Sequence, residues 1–442
     1  MGLSQRFRLV APLALLGATG VVLAGCGAPG APGGGDTGGG DTDAAGGTVT
    51  VYGTIVDDEA RLMEESWADW AEENDITIKY EGSQEFEAQI GTRAQGGNPP
   101  DVAIFPQPGL FAEFAKRDYL KPAPEGVESN ANEYWSQDWV DYGTVDGTFY
   151  GAPLMANVKG WIWYQPSQFD EWGVTPPETW DDLLALTATI QEKTGNPPWC
   201  AGFESGDATG WPGTDWIEDF VIRDAGPDVY DQWVANEVPF TDPAIKAAFD
   251  EAGKILLNPD YVNAGFGDVR SINSTAFGDV ATKLASGECA LTHQASFLTG
   301  FFPEGTSFAE DGDVWAFMMP GKTAGELNVT GGGEIVGAFS DDAATQAFLE
   351  YLSSPEWANS RVKLGGVTSA NKGLDPSNAQ SPILEESIKI LQDENTTFRF
   401  DGSDLMPGAV GAGTFWKGMV AWINGTSVDE VLKQIEAGWP QD

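Results

Sequence analysis

The chain has 442 residues, with 67 Asp or Glu against 23 Lys or Arg and one His, so its formal net charge is −44. This balance excludes a nucleic-acid binder, which needs a basic surface for phosphates, and it disfavours anionic membranes and phosphorylated ligands. Hydrophobic residues at 41% and 17 Trp are ample for a core, and the length predicts two domains or one large one.

The N-terminus has the composition of a targeting segment. Two arginines precede an apolar run over 9–23 that is too short for a membrane helix. The run ends in a Leu-Ala-Gly-Cys sequence that resembles a bacterial lipoprotein cleavage box, which implies removal of residues 1–25 and acylation of Cys26. The alternative is an ordinary signal peptide with a cysteine nearby. Residues 26–47 are mostly Gly, Ala, Pro, Asp and Thr, which predicts a flexible tether.

The globular part is predicted to start at Thr48, where strand-like and helix-like segments begin to alternate. Residues 48–52 and 76–80 alternate as strands do, and 102–105 read as a short buried strand. This alternation is typical of an α/β fold with mostly parallel sheets flanked by helices. Ligands collect at the carboxyl ends of strands in such sheets, so the loop 106–109 is a candidate site.

Turn and capping signals continue this pattern along the chain. Asp146-Gly147 between two β-prone runs predicts a hairpin. Thr179, three residues before Asp182, matches a capping box, and Pro243 is predicted at the first position of another helix. These signals place further helices and strands in the second half of the α/β region.

The cysteines other than the expected lipid site are Cys200 and Cys289. Outside the cytoplasm, where we expect this protein, two such cysteines favour a disulfide. The alternative is a pair of buried thiols too far apart to be joined. Two cysteines and His293 without ligand spacing predict no metal site and no cofactor, and His293 is expected to be structural.

Several motifs occur in a characteristic order and spacing. They are Asn98-Pro99-Pro100-Asp101-Val102, Phe105-Pro106-Gln107, Tyr150-Gly151-Ala152-Pro153, Trp163-Tyr164, Thr179-Trp180-Asp181-Asp182-Leu183, Trp211-Pro212, Gly287-Glu288-Cys289-Ala290, Met406-Pro407 and Phe415-Trp416. Together they resemble the extracellular solute-binding proteins of ABC importers, specifically the carbohydrate-binding family that includes maltose- and α-glucoside-binding proteins.

The resemblance implies a two-lobed fold, each lobe a mostly parallel sheet flanked by helices, with a three-crossover hinge. The crossovers are expected near 155–157, 323–328 and 370–372. The first lobe is then predicted to contain 48–156 plus 325–371, and the second lobe 157–324 plus 372–442.

Sugar rings stack their C–H faces on aromatic planes, and their hydroxyls bond to carboxylates, amides and cations. Such residues occur together at predicted strand ends and loops of this chain. The candidate ligand-binding residues are Gln107, Asn157, Lys159, Glu204, Asp207, Trp211, Gln294, Phe297, Gly332, Gly333, Asp404 and Trp416.

Most of these candidates have a structural alternative. Trp416 has helical spacing to other apolar residues and could belong to the core, and Trp211 could close a loop. Glu204 and Asp207 could be solvated carboxylates of an acidic surface, and Lys159 a surface charge. The triple glycine could serve a hinge or a close ligand approach; a phosphate cradle is the rival, but no Lys-Ser or Lys-Thr follows it.

The resulting hypothesis is an extracytoplasmic, lipid-anchored sugar-binding protein, monomeric and not an enzyme. It would capture an α-linked di- or oligosaccharide between closing lobes and deliver it to the permease subunits of an ABC transporter, touching the membrane only through its lipid. The alternatives are a secreted glycoside hydrolase with paired carboxylates and a cell-surface adhesin that binds polysaccharide without closing.

Overall fold

A computed structural model describes residues 46–263, 268–325, 328–393 and 396–440. The predicted signal peptide, Cys26 and nearly all of the tether lie outside the described residues. In the part of the chain that the structure describes, no helix combines the length and the apolar character that crossing a membrane requires.

The strands of the described chain form two larger sheets and one hairpin. They are β1 Gly47–Gly53, β2 Ile76–Gly82, β3 Val102–Phe105, β4 Thr144–Val145, β5 Thr148–Phe149, β6 Gly151–Val158, β7 Trp161–Tyr164, β8 Trp199–Cys200, β9 Val262–Asn263, β10 Leu291–Gln294, β11 Trp315–Met318, β12 Asn328–Ala338 and β13 Thr397–Phe400.

Helices flank these sheets. The α-helices are α1 Asp57–Glu73, α2 Phe86–Gln95, α3 Pro108–Lys116, α4 Glu125–Tyr134, α5 Gln137–Tyr142, α6 Pro166–Trp172, α7 Trp180–Thr194, α8 Trp211–Phe220, α9 Pro227–Val234, α10 Pro243–Leu256, α11 Asp279–Ala285, α12 Ala343–Leu352, α13 Pro355–Lys363, α14 Pro382–Gln392, α15 Gly402–Leu405, α16 Trp416–Ile423 and α17 Val428–Glu436. Short 3-10 turns include Gly206–Ala208 and Ser296–Phe301, and π-helical turns are Val221–Ala225 and Ala409–Phe415.

The fold is α/β and two-lobed, with one sheet in each lobe. The first sheet has the order β13-β12-β3-β1-β2, and β6 also pairs with β12; the second has the order β11-β7-β10-β8-β9. Both sheets are mixed, whereas the alternation of elements predicts mostly parallel ones. In the first sheet β6 leads out toward β7 of the second sheet and β12 leads back, so these neighbours run antiparallel.

The lobe boundaries stay a prediction. Strand β13 pairs in parallel with β12 of the first sheet, although the predicted boundaries assign its residues to the second lobe. The strands of the second sheet all lie within 161–318.

The backbone geometry confirms the hairpin turn and the helix starts that the sequence predicts. Asp146 and Gly147 both have positive φ, at 51° and 79°, in the turn between β4 and β5, as a tight hairpin requires. The Thr179 hydroxyl accepts a hydrogen bond from the backbone N–H of Asp182 at 3.2 Å at the start of α7. The Asp242 side chain caps α10 in the same way, accepting from the N–H of Ala244.

The tryptophans divide mainly between two cores. Trp180, Trp199 and Trp216 are buried in a cluster on the second sheet, and Trp67 and Trp357 are buried on the first. The predicted disulfide is confirmed: Cys200 and Cys289 are bonded, with their Cα atoms 5.6 Å apart. The disulfide joins the last residue of β8 to the segment that directly precedes β10.

Candidate functional site: a carboxylate-rich cleft between the two sheets

A cleft of about 450 Å³ opens where the end of β2 and the start of α1 face the 3-10 turn Gly206–Ala208 that follows β8. Its lining includes Gln84, Glu85 and the exposed Asp207. A Cβ on Gly206 would lie 3.2 Å from the carbonyl oxygen of Gln84, so the two sides of the cleft approach closely here. The carboxyl end of a parallel pair is the expected place for a ligand in such a sheet.

Lys159 lies deeper, directly after β6, and is buried rather than on the surface. Its Nζ donates to Asp215 Oδ1 on α8 at 2.7 Å and contacts Asp401 before α15. The side chains of Lys159 and Asp215 are 6% and 2% exposed. Burial alone would lower the pKa of Lys159, but the surrounding carboxylates outweigh it and raise that pKa. The ammonium therefore stays charged and holds together elements that are distant in sequence.

Two further carboxyl groups lie in this neighbourhood. Burial raises the pKa of Glu218 to about 8, and its Oε1 accepts a hydrogen bond from the N–H of Ser403 at 2.9 Å. Burial and the charges of Glu218 and Asp215 raise the pKa of Asp404, against the opposing effect of Lys159. The site therefore has more acidic groups than a single ammonium can neutralise.

Gln107 and Glu87 form a polar pair contributed by the first lobe. Gln107 precedes α3, is 5% exposed, and donates from Nε2 to Glu87 Oε1 at 2.9 Å. Burial, together with the charge of Asp207 across the cleft, raises the pKa of Glu87 although Gln107 opposes this. The predicted Gln107 and Asp207 thus both affect Glu87, one by a hydrogen bond and one by its charge, and the sequence reasoning missed Glu87.

An aromatic group lies beside the lysine. Trp211 begins α8 and is partly exposed, with its ring 5.2 Å from Lys159 Nζ. Its ring centroid is 5.1 Å from Phe277 and 6.0 Å from Phe297. Partly exposed aromatic planes next to buried acceptors provide both surfaces that a sugar ring needs.

The predicted hinge residues lie where β6 and β12 pair. Asn157 Oδ1 accepts from the N–H of Gly332 at 3.2 Å, and a Cβ on Gly332 would lie 3.4 Å from Cε of Lys159. A Cβ on Gly333 would lie 2.3 Å from the carbonyl oxygen of Met155. Gly333 is therefore required by the close approach of two strands, whereas Gly332 lies against the lysine of the site.

Three predicted residues are placed differently. Glu204 accepts from the N–H of Gly206 at 2.9 Å, so it supports the turn that carries Asp207. Gln294 is buried, and its side-chain oxygen accepts from the N–H of the next residue at 2.8 Å. Trp416 is 3% exposed, and its backbone packs on Gly210 next to Trp211. In this structure Trp416 packs next to the residue that precedes Trp211, and its own ring has little exposed surface for a ligand.

The sequence reasoning also missed Asp215, Glu218 and Asp401. Asp215, Glu218 and Asp219 follow Trp211 on α8, and the spacing of three and four residues places them on neighbouring positions of a helix. That spacing, in a helix that is otherwise apolar, was an available signal. Asp401 carried none, because it meets Lys159 only in the folded chain.

Asp219 belongs to a separate buried network. It accepts from Thr330 Oγ1 on β12 at 2.6 Å, contacts Arg223, and lies 2.7 Å from His293 Nε2. Arg223, His293 and Thr330 together outweigh the effect of burial and lower the pKa of Asp219. As expected, His293 is a buried residue with a structural partner.

Carboxylate oxygens of Asp215, Glu218 and Asp401 lie within 4.8 Å of one another, close enough to hold a metal ion. The ammonium of Lys159 contacts two of the three. Lys159 therefore provides the positive charge that these carboxylate oxygens require.

Comparison with known proteins gives matches over nearly the whole chain. Residues 53–359 match the family model described as "Bacterial extracellular solute-binding protein". The alpha-glucosides-binding periplasmic protein AglE of Rhizobium meliloti is 38% identical over 408 residues, covering 90% of this chain and 88% of that protein. The osmoprotective compounds-binding protein GgtB of Synechocystis is 36% identical over 425 residues, covering 95% and 97%.

Among solved structures, the bacterial solute receptor AcbH, described as having an exclusive preference for β-D-galactopyranose, superimposes with a TM-score of 0.74. It is 19% identical and covers 88% of this chain and 98% of its own, so the likeness concerns the fold. With the two-lobed architecture, the cleft between the sheets and these matches, the chain belongs to the family of bacterial extracellular solute-binding proteins.

Proposed function

We propose that this protein binds an α-linked di- or oligosaccharide in the cleft between its lobes and delivers it to the permease of an ABC importer. The observation that carries the proposal is the pairing of partly buried acceptors for ligand hydroxyls with the partly exposed rings of Trp211 and Phe297. Acceptors such as Glu87 and Asp404 suit ligand hydroxyls, and the rings suit the C–H faces of a sugar.

Relatives support the choice of an α-glucoside. AglE, whose name specifies alpha-glucosides, matches 90% of the chain at 38% identity. The motifs and the Leu-Ala-Gly-Cys sequence ending in Cys26 favour a monomeric protein held at the outer face of the membrane by lipid. In this proposal the sugar contacts both lobes, stabilises the closed form by its differential affinity, and the permease recognises that form.

Calorimetric titration of the full chain carrying Cys26→Ser, which prevents acylation, tests the proposal. Maltose, trehalose, sucrose and maltotriose are compared with β-linked cellobiose and with glucose 6-phosphate. We expect saturable binding of at least one α-linked sugar and none of the phosphate ester, since the cleft is acidic. Absence of binding by every α-linked sugar would refute the proposal.

Two aromatic variants locate the binding. Trp211→Ala should weaken binding by about tenfold or more, because a stacking surface is lost. Trp70→Ala is the matched control: its ring stacks on Tyr351 at 4.6 Å in the first lobe, near the end of α1 opposite to the one that lines the cleft. Equal effects of the two variants would contradict a site at Trp211.

The relatives are solute-binding proteins, and we propose that this protein likewise performs no hydrolysis. Overnight incubation with each α-linked sugar should leave the sugar intact. Release of new reducing ends, lost in an Asp404→Asn variant, would favour the glycoside hydrolase alternative.

A further inference from the structure

Helix α8 lies against three segments through which the chain passes between the two sheets. The chain leaves the first sheet after β6 and after β13, and it enters that sheet at β12. The three connecting segments are residues 159–160, β12 and residues 401–403. Side chains of α8 contact the chain in each of them.

The first connecting segment is held by two acidic residues of α8. Lys159 Nζ donates to Asp215 Oδ1 at 2.7 Å. A Cβ on Gly160 would lie 2.7 Å from Asp219 Oδ2, and Gly160 has a positive φ of 79°. Glycine is required here, because any Cβ would lie closer to the Asp219 oxygen than a normal contact allows. The link between β6 and β7 therefore runs directly along α8.

The other two connecting segments are also bonded to α8. Thr330 Oγ1 on β12 donates to Asp219 Oδ1 at 2.6 Å. The N–H of Ser403 donates to Glu218 Oε1 at 2.9 Å, and Ser403 Oγ lies 3.2 Å from Thr214 Oγ1. Thr330, Ser403 and Asp219 are at most 2% exposed, so water does not weaken these hydrogen bonds. Each connecting segment therefore has at least one buried hydrogen bond to α8.

The residues that make these bonds share a face of α8 with the aromatic residue of the candidate site. Trp211, Asp215 and Asp219 follow one another at intervals of four residues, which places them on one face of the helix. Asp219 lies about 12 Å along the helix axis from Trp211. Trp216 and Phe220, on another face, are buried in the core of the second lobe. The helix therefore moves with that lobe and links Trp211 to the connecting segments.

The hydrogen bonds of α8 belong to a form of the protein in which the two sides of the cleft are close together. A Cβ on Gly206 would lie only 3.2 Å from the carbonyl oxygen of Gln84 on the other side. A sugar that stacks on Trp211 and also contacts the first lobe binds such a form preferentially. Loss of a bond between α8 and a connecting segment should therefore disfavour the form that binds sugar.

We propose that α8 couples the sugar-binding cleft to the connecting segments, with Glu218 and Asp219 as positioning residues that do not contact the sugar. This inference rests on the proposed function and adds residues that set the affinity through the arrangement of the lobes. It predicts that removing a buried hydrogen bond between α8 and a connecting segment weakens sugar binding from outside the cleft.

Calorimetric titration of the full chain with Cys26→Ser, using the tightest α-linked sugar of the panel, tests the inference. Thr330→Val removes the donor to Asp219 and keeps the branched shape of the side chain. Binding should weaken about fivefold or more, mainly through faster dissociation in stopped-flow tryptophan fluorescence. Thr345→Val is the matched control: it removes a buried hydroxyl that donates to Asp342 at 2.9 Å at the start of α12. This control should leave the affinity unchanged.

Two further variants keep the test decisive. Ser403→Ala removes the hydroxyl contact with Thr214 in another connecting segment and should weaken binding in the same direction, so it decides the question if Thr330→Val does not fold. Trp211→Ala combined with Thr330→Val tests the coupling itself. The combined loss of affinity should be smaller than the product of the two single losses, because a helix that no longer stacks the sugar gains less from being held in place.

The outcomes separate the two proposals. If Thr330→Val and Ser403→Ala bind the sugar as tightly as the parent, this inference is wrong and the proposed function stands. The inference is also wrong if Thr345→Val weakens binding equally, because lost stability alone would then explain the effect. A combined loss equal to the product of the single losses would likewise rule out coupling through α8. If the parent binds no sugar, both proposals fail.

Discussion

Replacing Lys159 by Met should destabilise the protein strongly and in a pH-dependent way. The substitution removes the ammonium that lies 2.7 Å from Asp215 and also contacts Asp401, at side-chain exposures of 6% and 2%. Removing one partner of a buried ion pair typically costs about 3–5 kcal/mol, because the remaining charge is left uncompensated. For a total stability of about 5–15 kcal/mol, this is a large fraction.

The pH dependence follows from what the carboxylates do without the lysine. Burial raises the pKa of Asp215 and Lys159 opposes this, so without the lysine Asp215 would bind its proton still more tightly in the folded than in the unfolded chain. Such groups stabilise the folded state below their unfolded pKa, and that contribution is lost as the pH rises through the folded pKa. The loss in Lys159→Met should therefore be full near pH 8 and much smaller near pH 5.

Urea unfolding followed by tryptophan fluorescence at both pH values measures this difference. Lys246→Met is the matched control, because Lys246 pairs with Asp250 at 3.1 Å on the surface of α10 and is 38% exposed. An exposed pair of this kind contributes about 1 kcal/mol or less. A loss below about 1 kcal/mol for Lys159→Met at pH 8, or an equal loss at both pH values, would refute this account of the buried cluster.

Three further changes test other parts of the structure. Replacing Cys200 and Cys289 together by Ser opens a link between residues 89 positions apart and should cost about 2–5 kcal/mol; an unchanged melting temperature would contradict this. Because burial raises the pKa of Glu218 from 4.5 to about 8, its contribution to stability is present below about pH 4.5 and is lost as the pH rises through 8. Glu218→Gln should therefore reduce the fall in melting temperature between pH 5 and 8, and an unaltered fall would count against a buried acid. Gly333→Ala would place a Cβ 2.3 Å from a backbone oxygen of β6, and urea unfolding should show an unfolding free energy lower by about 1–3 kcal/mol. Gly91→Ala is the control, because its Cβ would meet nothing nearer than 4.0 Å. This variant should have an unchanged or higher unfolding free energy.

Features that depend on local geometry were predictable from the sequence. The Asp146-Gly147 turn requires positive φ at two successive residues, and few residue pairs accept it. The Thr179 cap satisfies an N–H of its own helix, so the sequence around it carries the whole signal.

Features that depend on distant residues were harder to predict. Asp401 contacts Lys159 across 242 positions of sequence, and no local pattern marks it among 67 acidic residues. Trp416 illustrates the opposite problem, since helical spacing fits a core residue and a sugar platform equally well, and the structure buries it to 3% exposure. Strand directions were also beyond local reasoning, because β6 and β12 are antiparallel only through the path of the chain between the lobes.

The central claim is that a solute binds between the two sheets and closes the lobes on itself. Small-angle X-ray scattering of the full chain with Cys26→Ser, without sugar and saturated with the tightest α-linked sugar of the panel, measures that closure most directly. The account predicts a smaller radius of gyration for the saturated protein, and the Trp211→Ala variant should need at least about tenfold more of the same sugar to reach it. An unchanged radius of gyration on saturation would contradict the claim and favour an open binding face.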